Sequence, residues 1–444
     1  MARSAPHPRT WLASDARLAR AVARPIQSFL AVEAAGGILL VAATVIALVW
    51  ANSPWREAYE QLIHTRVSVE VGSFAIDESL QHVVNDGLMA LFFFVVGLEI
   101  KRELVAGELR DRRVAVLPAV AALGGMVVPA GIYVTLNTGG HGSHGWGIPM
   151  ATDIAFALGV VALLGRRVPA PLKVFLLTLA IVDDIGAIVV IAVFYSDGIR
   201  WTWFIEALVV LGLVVLAQRA RVRSLVVYVA LGVAAWLFVF ESGVHATIAG
   251  VVLGLLTPAK SLLPEVEAEA IVDQLEGRTD LTAADVHRVE FLVRESVPPT
   301  ERIEHLLHPW TSYVIVPLFA FANAGIVLTG DAVTSPSSVL VGVVLGLVLG
   351  KTVGISLFSW IAVKLGWGVL PDGVRFGQLV GVAALGGIGF TVSLFITALA
   401  FEGEPLLADQ AKIGILVASL AAAALGSVIL TLAARRSISG HPGP

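Results

Sequence analysis

The sequence has no cysteine, few charged residues and no strong net charge, and each shortage excludes a class of protein. Without cysteine there is no disulfide, no thiol nucleophile and no cysteine-ligated metal site. Charged residues make up 14% of the 444 residues, against about 25% in soluble domains, so the chain has too little polar surface to cover a water-soluble particle. The net charge of −4 gives no sign of a nucleic-acid partner.

Apolar residues take the place of the missing charge. They form 57% of the chain, with a mean hydropathy of +0.85, and they come in runs of about 20 residues, the length of a membrane-spanning helix. The first run is too long for a signal peptide, so we expect no cleaved leader. We predict an all-α integral membrane protein with about twelve transmembrane helices. The predicted spans are residues 28–51, 77–99, 115–136, 146–165, 171–195, 201–218, 224–241, 242–257, 309–328, 336–364, 376–400 and 407–434.

The distribution of Lys and Arg between the loops predicts the orientation of these spans. Twenty of the thirty basic residues lie in the two tails and in the loops that share their side, and at most four lie in the opposite loops. Cytoplasmic loops carry the excess of basic residues. We therefore expect both termini in the cytoplasm, which also requires an even number of spans.

Two connecting segments are predicted to have structure of their own. Residues 65–77 alternate apolar and polar side chains around Gly72 and Ser73, a pattern that predicts an external β-hairpin. The acidic cytoplasmic loop 258–308 contains an amphipathic stretch, predicted to be helical from about residue 282 to 297. The predicted organisation is a cytoplasmic N-terminal tail (1–27), a transmembrane domain (28–434) and a cytoplasmic C-terminal tail (435–444).

Charged residues in the middle of apolar spans are the strongest functional signal. Asp183 and Asp184 lie midway along the fifth span, Asp153 follows Thr152 in the fourth, and Lys351 is central in the tenth. Each such charge costs roughly 2.5–3.5 kcal/mol near the bilayer centre, so each requires a reason.

A structural ion pair would explain one aspartate and one lysine, but it does not explain two adjacent aspartates. Neighbouring helical residues point about 100° apart, so Lys351 cannot neutralise Asp183 and Asp184 in the same way. One carboxylate is left to bind a proton or a small hard cation. Because the two ligands compete for the same oxygens, their movements are coupled, and the pattern predicts a proton/cation exchange site.

Two of the predicted spans contain helix breakers in corresponding positions. Pro149 precedes Thr152 and Asp153 in the fourth span, and the eleventh carries a glycine cluster that includes Gly386 and Gly387. We predict that spans 3–5 and 10–12 form inverted repeats whose discontinuous middle helices cross at the membrane midplane. Asp153 would then offset the positive N-terminal ends of the half-helices, and Lys351 their negative C-terminal ends.

Eight stretches of the chain share a family resemblance. They are Val84-Asn-Asp-Gly-Leu-Met-Ala90, Gly97-Leu-Glu-Ile-Lys-Arg-Glu103, Ala151-Thr-Asp-Ile-Ala-Phe-Ala-Leu-Gly159, Ile181-Val-Asp-Asp-Ile-Gly-Ala187, Ser242-Gly-Val-His-Ala-Thr247, Glu304-His-Leu-Leu-His-Pro-Trp310, Pro317-Leu-Phe-Ala-Phe-Ala-Asn-Ala-Gly325 and Gly387-Ile-Gly-Phe-Thr391. In these residues, and in their order from about residue 28 to 434, the chain resembles the NhaA family of sodium/proton antiporters.

The resemblance implies a secondary active transporter of the bacterial inner membrane. It would exchange Na⁺ or Li⁺ for more than one H⁺, would be electrogenic and pH-regulated, and would use no cofactor. Asp183 and Asp184 match the essential carboxylates, Thr152 and Asp153 the unwound-helix pair, and Lys351 the buried lysine. The family also implies a homodimer. We expect it to form through the external hairpin, since a lone two-stranded hairpin is marginal in water.

The resemblance further implies a pH-responsive cluster on the cytoplasmic side. Its members would be Glu99, Arg102, Glu103, His245, Glu304, His305 and His308. By the loop count, the end of the second span and the start of the ninth both face the cytoplasm, so two distant motifs are predicted to converge there. Neighbouring acids are expected to raise the pKa of the histidines.

Three other functions remain open from the residues alone. Lys351 in the core would suit a related transporter of an organic anion, although the adjacent aspartates argue for a cation. An intramembrane aspartyl protease needs two carboxylates from different helices, which Asp153 and Asp184 could supply, but neither lies in a Gly-x-Gly-Asp pattern. A channel needs no titratable pair and would conduct sodium without proton counterflow.

Overall fold

The computed structural model describes residues 35–71, 74–196, 198–222, 224–261, 282–327 and 336–438. Helices dominate this part of the chain, because an apolar segment in lipid must satisfy its backbone polar groups within itself. The helices are α1 (Ala35–Ala51), α2 (Arg56–Ile63), α3 (Leu80–Val105), α4 (Arg112–Leu136), α5 (Ile154–Leu164), α6 (Ala170–Phe194), α7 (Trp201–Arg219), α8 (Leu225–Glu241), α9 (Thr247–Leu256), α10 (Ala283–Ser296), α11 (residues 299–323), α12 (Ser338–Lys364), α13 (Phe376–Leu385), α14 (Phe390–Ala400) and α15 (Pro405–Ile438).

The prediction of a helical membrane protein is confirmed in its coarse form. A helix lies at each of the twelve predicted segments. Six helices are long and apolar enough to cross a membrane, or eight crossings if each of two bent pairs counts as one. Three further apolar helices, α1, α8 and α9, have only 10–17 described residues. The count of twelve spans therefore stays a prediction.

Both predicted helix breaks are present. A 3₁₀ segment, His141–Met150, is followed by α5 at an angle of 43°, and α13 is followed by α14 at 46°. Three longer helices also contain a π-helical turn. These turns are Val83–Leu88 in α3, Thr311–Ile315 in α11 and Gly346–Gly350 in α12. The two breaks are adjacent in the fold, because Ile148, Ala151, Phe390 and Leu394 belong to one buried apolar cluster.

Glycines bring the helices that carry charged residues close to their neighbours. A Cβ atom on Gly97 of α3 would lie 2.6 Å from the carbonyl oxygen of Val251 in α9, and one on Gly350 of α12 would lie 2.8 Å from the Cα atom of Pro129 in α4. Neither distance is possible for a real side chain. Small residues at such crossings let membrane helices pack by backbone contact, and this packing fixes Lys351, the residue after Gly350.

The predicted β-hairpin is present in the described residues. Strands β1 (Arg66–Val71) and β2 (Phe74–Ser79) pair antiparallel, and the side chains of Arg66 and Asp77 form an exposed ion pair at 2.6 Å. Of the loop 258–308, residues 258–261 and 282–308 are described. Helix α10 lies where the amphipathic helix was predicted. The N-terminal tail 1–27 and residues 439–444 lie outside the described part.

Candidate functional site

The two helix breaks meet through direct hydrogen bonds. The backbone N–H of Asp153 donates to the carbonyl oxygen of Ile388 at 2.6 Å, and the Thr152 hydroxyl donates to the carbonyl oxygen of Gly386 at 2.8 Å. Both residues on the 3₁₀ side are buried. The unwound stretch before α5 thus satisfies its backbone on the unwound stretch between α13 and α14, as buried non-helical backbone must.

Asp153 caps two helices at once. One carboxylate oxygen accepts from the N–H of Phe156 at 2.9 Å in the first turn of α5, and the other accepts from the N–H of Thr391 at 3.0 Å in the first turn of α14. A helix N-terminus carries about half a positive charge, and here two of them face one buried carboxylate. The geometry agrees with the expectation that Asp153 offsets the positive ends of the half-helices.

Lys351 joins the broken helices to α6. Its ammonium donates to a carboxylate oxygen of Asp183 at 2.5 Å and to the hydroxyl of Thr152 at 3.0 Å, and its side chain is fully buried. The expected pairing of Lys351 with Asp183 is therefore present. Its expected link to a helix C-terminus is indirect. The Thr152 hydroxyl, which accepts from Lys351, donates to the carbonyl oxygen of Gly386, the residue that follows α13.

Two carboxylate oxygens in this site have no hydrogen-bond partner among the described residues. They are Oδ1 of Asp183 and Oδ1 of Asp184, and both atoms are buried. Asp184 is subject to the negative charges of Asp183, Asp153 and Glu99, opposed by Lys351. A buried oxygen without a donor is costly, and excess negative charge attracts a cation. Carboxylate and hydroxyl oxygens are the ligands that hard cations prefer, so the arrangement is suited to a proton or a small hard cation.

The two motifs that were predicted to converge do lie together. The guanidinium of Arg102 in α3 lies 2.8 Å from a carboxylate oxygen of Glu304 in α11, and 4.0 Å from Glu103. Glu103 also accepts the N–H of Glu108 at 3.0 Å. Glu99 lies near the same group, close enough for its carboxylate and that of Glu304 to repel each other. Glu304 precedes the apolar part of α11, and burial raises the pKa of its carboxyl group, an effect that Arg102 opposes.

His308 does not behave as the sequence suggested. The pKa of His308 is lowered, first by burial and then by the positive charges of Arg102 and His305. The expectation that nearby acids raise the pKa of His308 is wrong, because burial and two positive charges act on the ring, and no acidic partner of His308 is found among the described residues.

His245 is not brought into this cluster. Its Nε2 atom lies 2.5 Å from the carbonyl oxygen of Tyr195, the residue that follows the C-terminal end of α6. His245 lies in the connection between α8 and α9. The loop count predicts that this connection is on the external side. The topology alone could therefore have separated His245 from Glu304.

Sequence reasoning missed the polar side chains that hold the 3₁₀ segment. The Tyr195 hydroxyl donates to the carbonyl oxygen of His144 at 2.7 Å and accepts from the N–H of Gly147 at 3.1 Å. The hydroxyls of Tyr133 and Ser393 donate to the carbonyl oxygens of Gly142 (2.8 Å) and Ile148 (2.7 Å). In each of these hydrogen bonds the partner of the hydroxyl is a backbone group. Because every residue has such groups, the sequence contains no side-chain pattern that would indicate these contacts.

The chain was compared with known proteins. A family model described as Na⁺/H⁺ antiporter 1 matches residues 27–430. A Rhodopirellula baltica protein named Na(+)/H(+) antiporter NhaA is 48% identical over 415 residues, which cover 92% of this chain and 93% of that protein. Sorangium cellulosum has a relative named Na(+)/H(+) antiporter NhaA 2, 47% identical over 99% of this chain and 96% of its own length. A Proteus mirabilis relative named Na(+)/H(+) antiporter NhaA is 46% identical over 91% and 96%.

Proposed function

The chain belongs to the NhaA family of Na⁺/H⁺ antiporters, and we propose that it exchanges Na⁺ or Li⁺ for H⁺ across the membrane at Asp183 and Asp184. The observation that carries this proposal is a pair of buried carboxylate oxygens, one on each aspartate, for which the described part of the chain supplies no donor. They are the atoms at which a cation and a proton compete.

In the proposed cycle, the site holds either protons or the cation. When no cation is bound, Lys351 neutralises Asp183, and Asp184 carries a proton. A cation that binds between the two carboxylates displaces that proton and competes with the ammonium for Asp183. Release of the ammonium from Asp183 lets Lys351 lose a proton too. Two protons per cation would make the exchange electrogenic. The hydrogen bond from Lys351 to Thr152 supports this step, since it holds the amino group of Lys351 in place while Asp183 changes partner.

The proposed architecture has twelve spans with both termini in the cytoplasm of a bacterial inner membrane. Spans 3–5 and 10–12 would be inverted repeats that rock around the crossing of their broken middle helices. The bonds of Asp153 and Thr152 to residues 386–391 support a single crossing point, because they join the two breaks directly.

Regulation by pH and homodimer formation are part of the proposal. The ion pair between Arg102 and Glu304 joins α3 to α11 at the cytoplasmic side of the site, and its charge changes with pH. A second copy of the chain would stabilise the external hairpin, which within the described residues pairs only with itself.

Other functions fit this site less well. Both oxygens of Asp153 accept backbone N–H groups, so they are committed to capping and would not share a catalytic water with Asp184 as a protease requires. An organic anion would need the free charge of Lys351, but that charge is paired with Asp183. A channel would leave the paired aspartates unexplained.

The test is proton movement in everted membrane vesicles that carry a preset pH gradient. Adding Na⁺ or Li⁺ should dissipate the gradient. Adding K⁺ to a parallel sample measures how well the protein discriminates between these cations. Asp184→Asn keeps the shape of the side chain but removes its second carboxylate oxygen and its negative charge, so the response to Na⁺ should disappear at normal membrane levels of the protein. The control is Glu206→Gln, an exposed acid in α7. Wild-type exchange by Asp184→Asn would refute the proposed site.

A further inference from the structure

The 3₁₀ segment before the unwound stretch is too long to support itself. His141–Met150 has ten residues, whereas 3₁₀ helices longer than about four residues are uncommon because their hydrogen bonds have poor geometry. The segment ends two residues before Thr152, whose hydroxyl bonds Lys351 at 3.0 Å. Any shift of the segment would therefore move one of the partners of Lys351. Its position has to be fixed by groups outside the segment.

Tyr195 supplies the central support. Its hydroxyl donates to the carbonyl oxygen of His144 and accepts from the N–H of Gly147. These two backbone groups are three residues apart, the pair that one 3₁₀ turn joins, so the hydroxyl bridges a turn that is weak by itself. The approach depends on glycine, since a Cβ atom on Gly147 would lie 2.7 Å from the tyrosine oxygen. The Tyr195 ring also stacks on Trp146, with ring centroids 6.3 Å apart.

The helix that holds Tyr195 is the one that carries the aspartates. Tyr195 follows the last residue of α6 directly, eleven residues after Asp184. A continuous helix therefore links the carboxylates at its centre to the hydroxyl at its end. The imidazole of His245 lies at hydrogen-bond distance from the carbonyl oxygen of Tyr195, which connects the end of α6 to the start of α9 and limits its movement.

From these contacts we infer that Tyr195 is a positioning residue for cation exchange. Its hydroxyl holds the 3₁₀ segment in one register relative to α6, and so holds Thr152 at the correct distance from Lys351 and Asp183. The inference rests on the proposed function. It assigns Tyr195 no contact with the transported ion. Loss of the hydroxyl should loosen the Thr152–Lys351 contact and weaken cation binding, while the carboxylates that carry the ions remain.

The variant Tyr195→Phe tests this in the vesicle assay. It keeps the ring and removes the hydroxyl, and we expect the apparent KM for Na⁺ to rise by roughly three- to tenfold, the range that one lost hydrogen bond produces, with a smaller change in maximal rate. Ser393→Ala removes the neighbouring bond to the carbonyl oxygen of Ile148 and should change the KM in the same direction. Tyr59→Phe is the matched control. It removes the hydroxyl bond of a buried tyrosine to the carbonyl oxygen of Phe321, between α2 and α11 and outside the 3₁₀ segment, and should leave the KM unchanged.

Wild-type KM and maximal rate in Tyr195→Phe would overturn the inference. An equal rise in KM for Tyr59→Phe would overturn it too, because the effect would then follow from the loss of any buried tyrosine hydroxyl. Thermal unfolding in detergent gives the folded fraction of each variant. A variant whose maximal rate falls with its folded fraction at constant KM would show a merely structural tyrosine.

Wild-type protein and Asp184→Asn are measured in the same vesicles. Absent exchange in the wild type refutes the proposed function, whereas normal exchange there together with an unaffected Tyr195→Phe refutes only the positioning role.

Discussion

The ammonium of Lys351 lies 2.5 Å from a carboxylate oxygen of Asp183, and both side chains have no exposed surface. The same ammonium donates to Thr152. One cation therefore connects α6, α12 and the stretch before α5, and no other salt bridge joins these three elements in the described residues. Because the charge of Lys351 is used on Asp183, the neighbouring Asp184 keeps a carboxylate oxygen available for exchange.

Removing Lys351 should destabilise the protein and disturb cation binding. Lys351→Ala leaves Asp183 buried without its partner, and breaking one side of a buried pair typically costs about 3–5 kcal/mol. We expect a lower melting temperature in detergent and an altered Na⁺ affinity. Lys364→Ala, on the same helix, is the control. Its ammonium lies over the ring of Trp360 at 4.6 Å, and its loss should cost about 1 kcal/mol or less. Unchanged melting and unchanged Na⁺ affinity in Lys351→Ala would refute the pairing.

Asp153, which caps both α5 and α14, should contribute more to stability and transport than a residue that caps one helix. Asp153→Asn removes the charge that faces α5 and α14 and leaves one acceptor oxygen for the two N–H groups. Losing a cap costs roughly 0.5–2 kcal/mol, and two ends are affected here, so thermal stability and exchange rate should both fall. Asp111→Asn at the start of α4 is the control, because Asp111 is an exposed cap that accepts only from the N–H of Arg113. Equal effects of the two variants would contradict the double role.

Deleting the hairpin should separate the proposed dimer without stopping transport. The variant replaces residues 67–77 by a short glycine linker, which keeps the bond from the N–H of Leu80 to the carbonyl oxygen of Thr65 and the Ser79 cap of α3. Light scattering in detergent should report monomers, and vesicles should retain exchange. Arg66→Ala serves as the control, since it removes only an exposed ion pair, worth about 0.2–1 kcal/mol. A dimeric deletion variant would mean that the interface lies elsewhere.

The charged part of the site was predictable because a charge in an apolar run is costly and therefore conspicuous. Asp153, Asp183, Asp184 and Lys351 all stood out for this reason, and the structure brings them together. The breaks were predictable too, from Pro149 and the glycine cluster. Tyr195 was not, because its partners are backbone groups and a tyrosine near a span end is usually an interfacial anchor.

The geometry of the cluster around Arg102 and Glu304 was only partly predictable. Orientation from the loop charges placed Arg102 and Glu304 on one side, and they do form an ion pair. The protonation behaviour of His308 depends on which neighbour lies closest, and no sequence pattern gives that. The same applies to the π-helical turns, which follow from how helices pack and not from any single residue.

Replacing Glu304 should move the pH–activity profile to higher pH. Burial raises the pKa of this carboxyl group against the opposing charge of Arg102, so the ion pair forms only as pH rises through that raised value. Glu304→Gln fixes the neutral, low-pH form of the contact at every pH. The midpoint should therefore shift in the alkaline direction, while the maximal rate persists. Adding His308→Ala should shift it little further, since the lowered pKa of His308 disfavours the charged form of that ring. Glu290→Gln on α10, an exposed acid, is the control. An unmoved midpoint in Glu304→Gln would mean that the pH response arises at Asp183 and Asp184, from competition between protons and sodium.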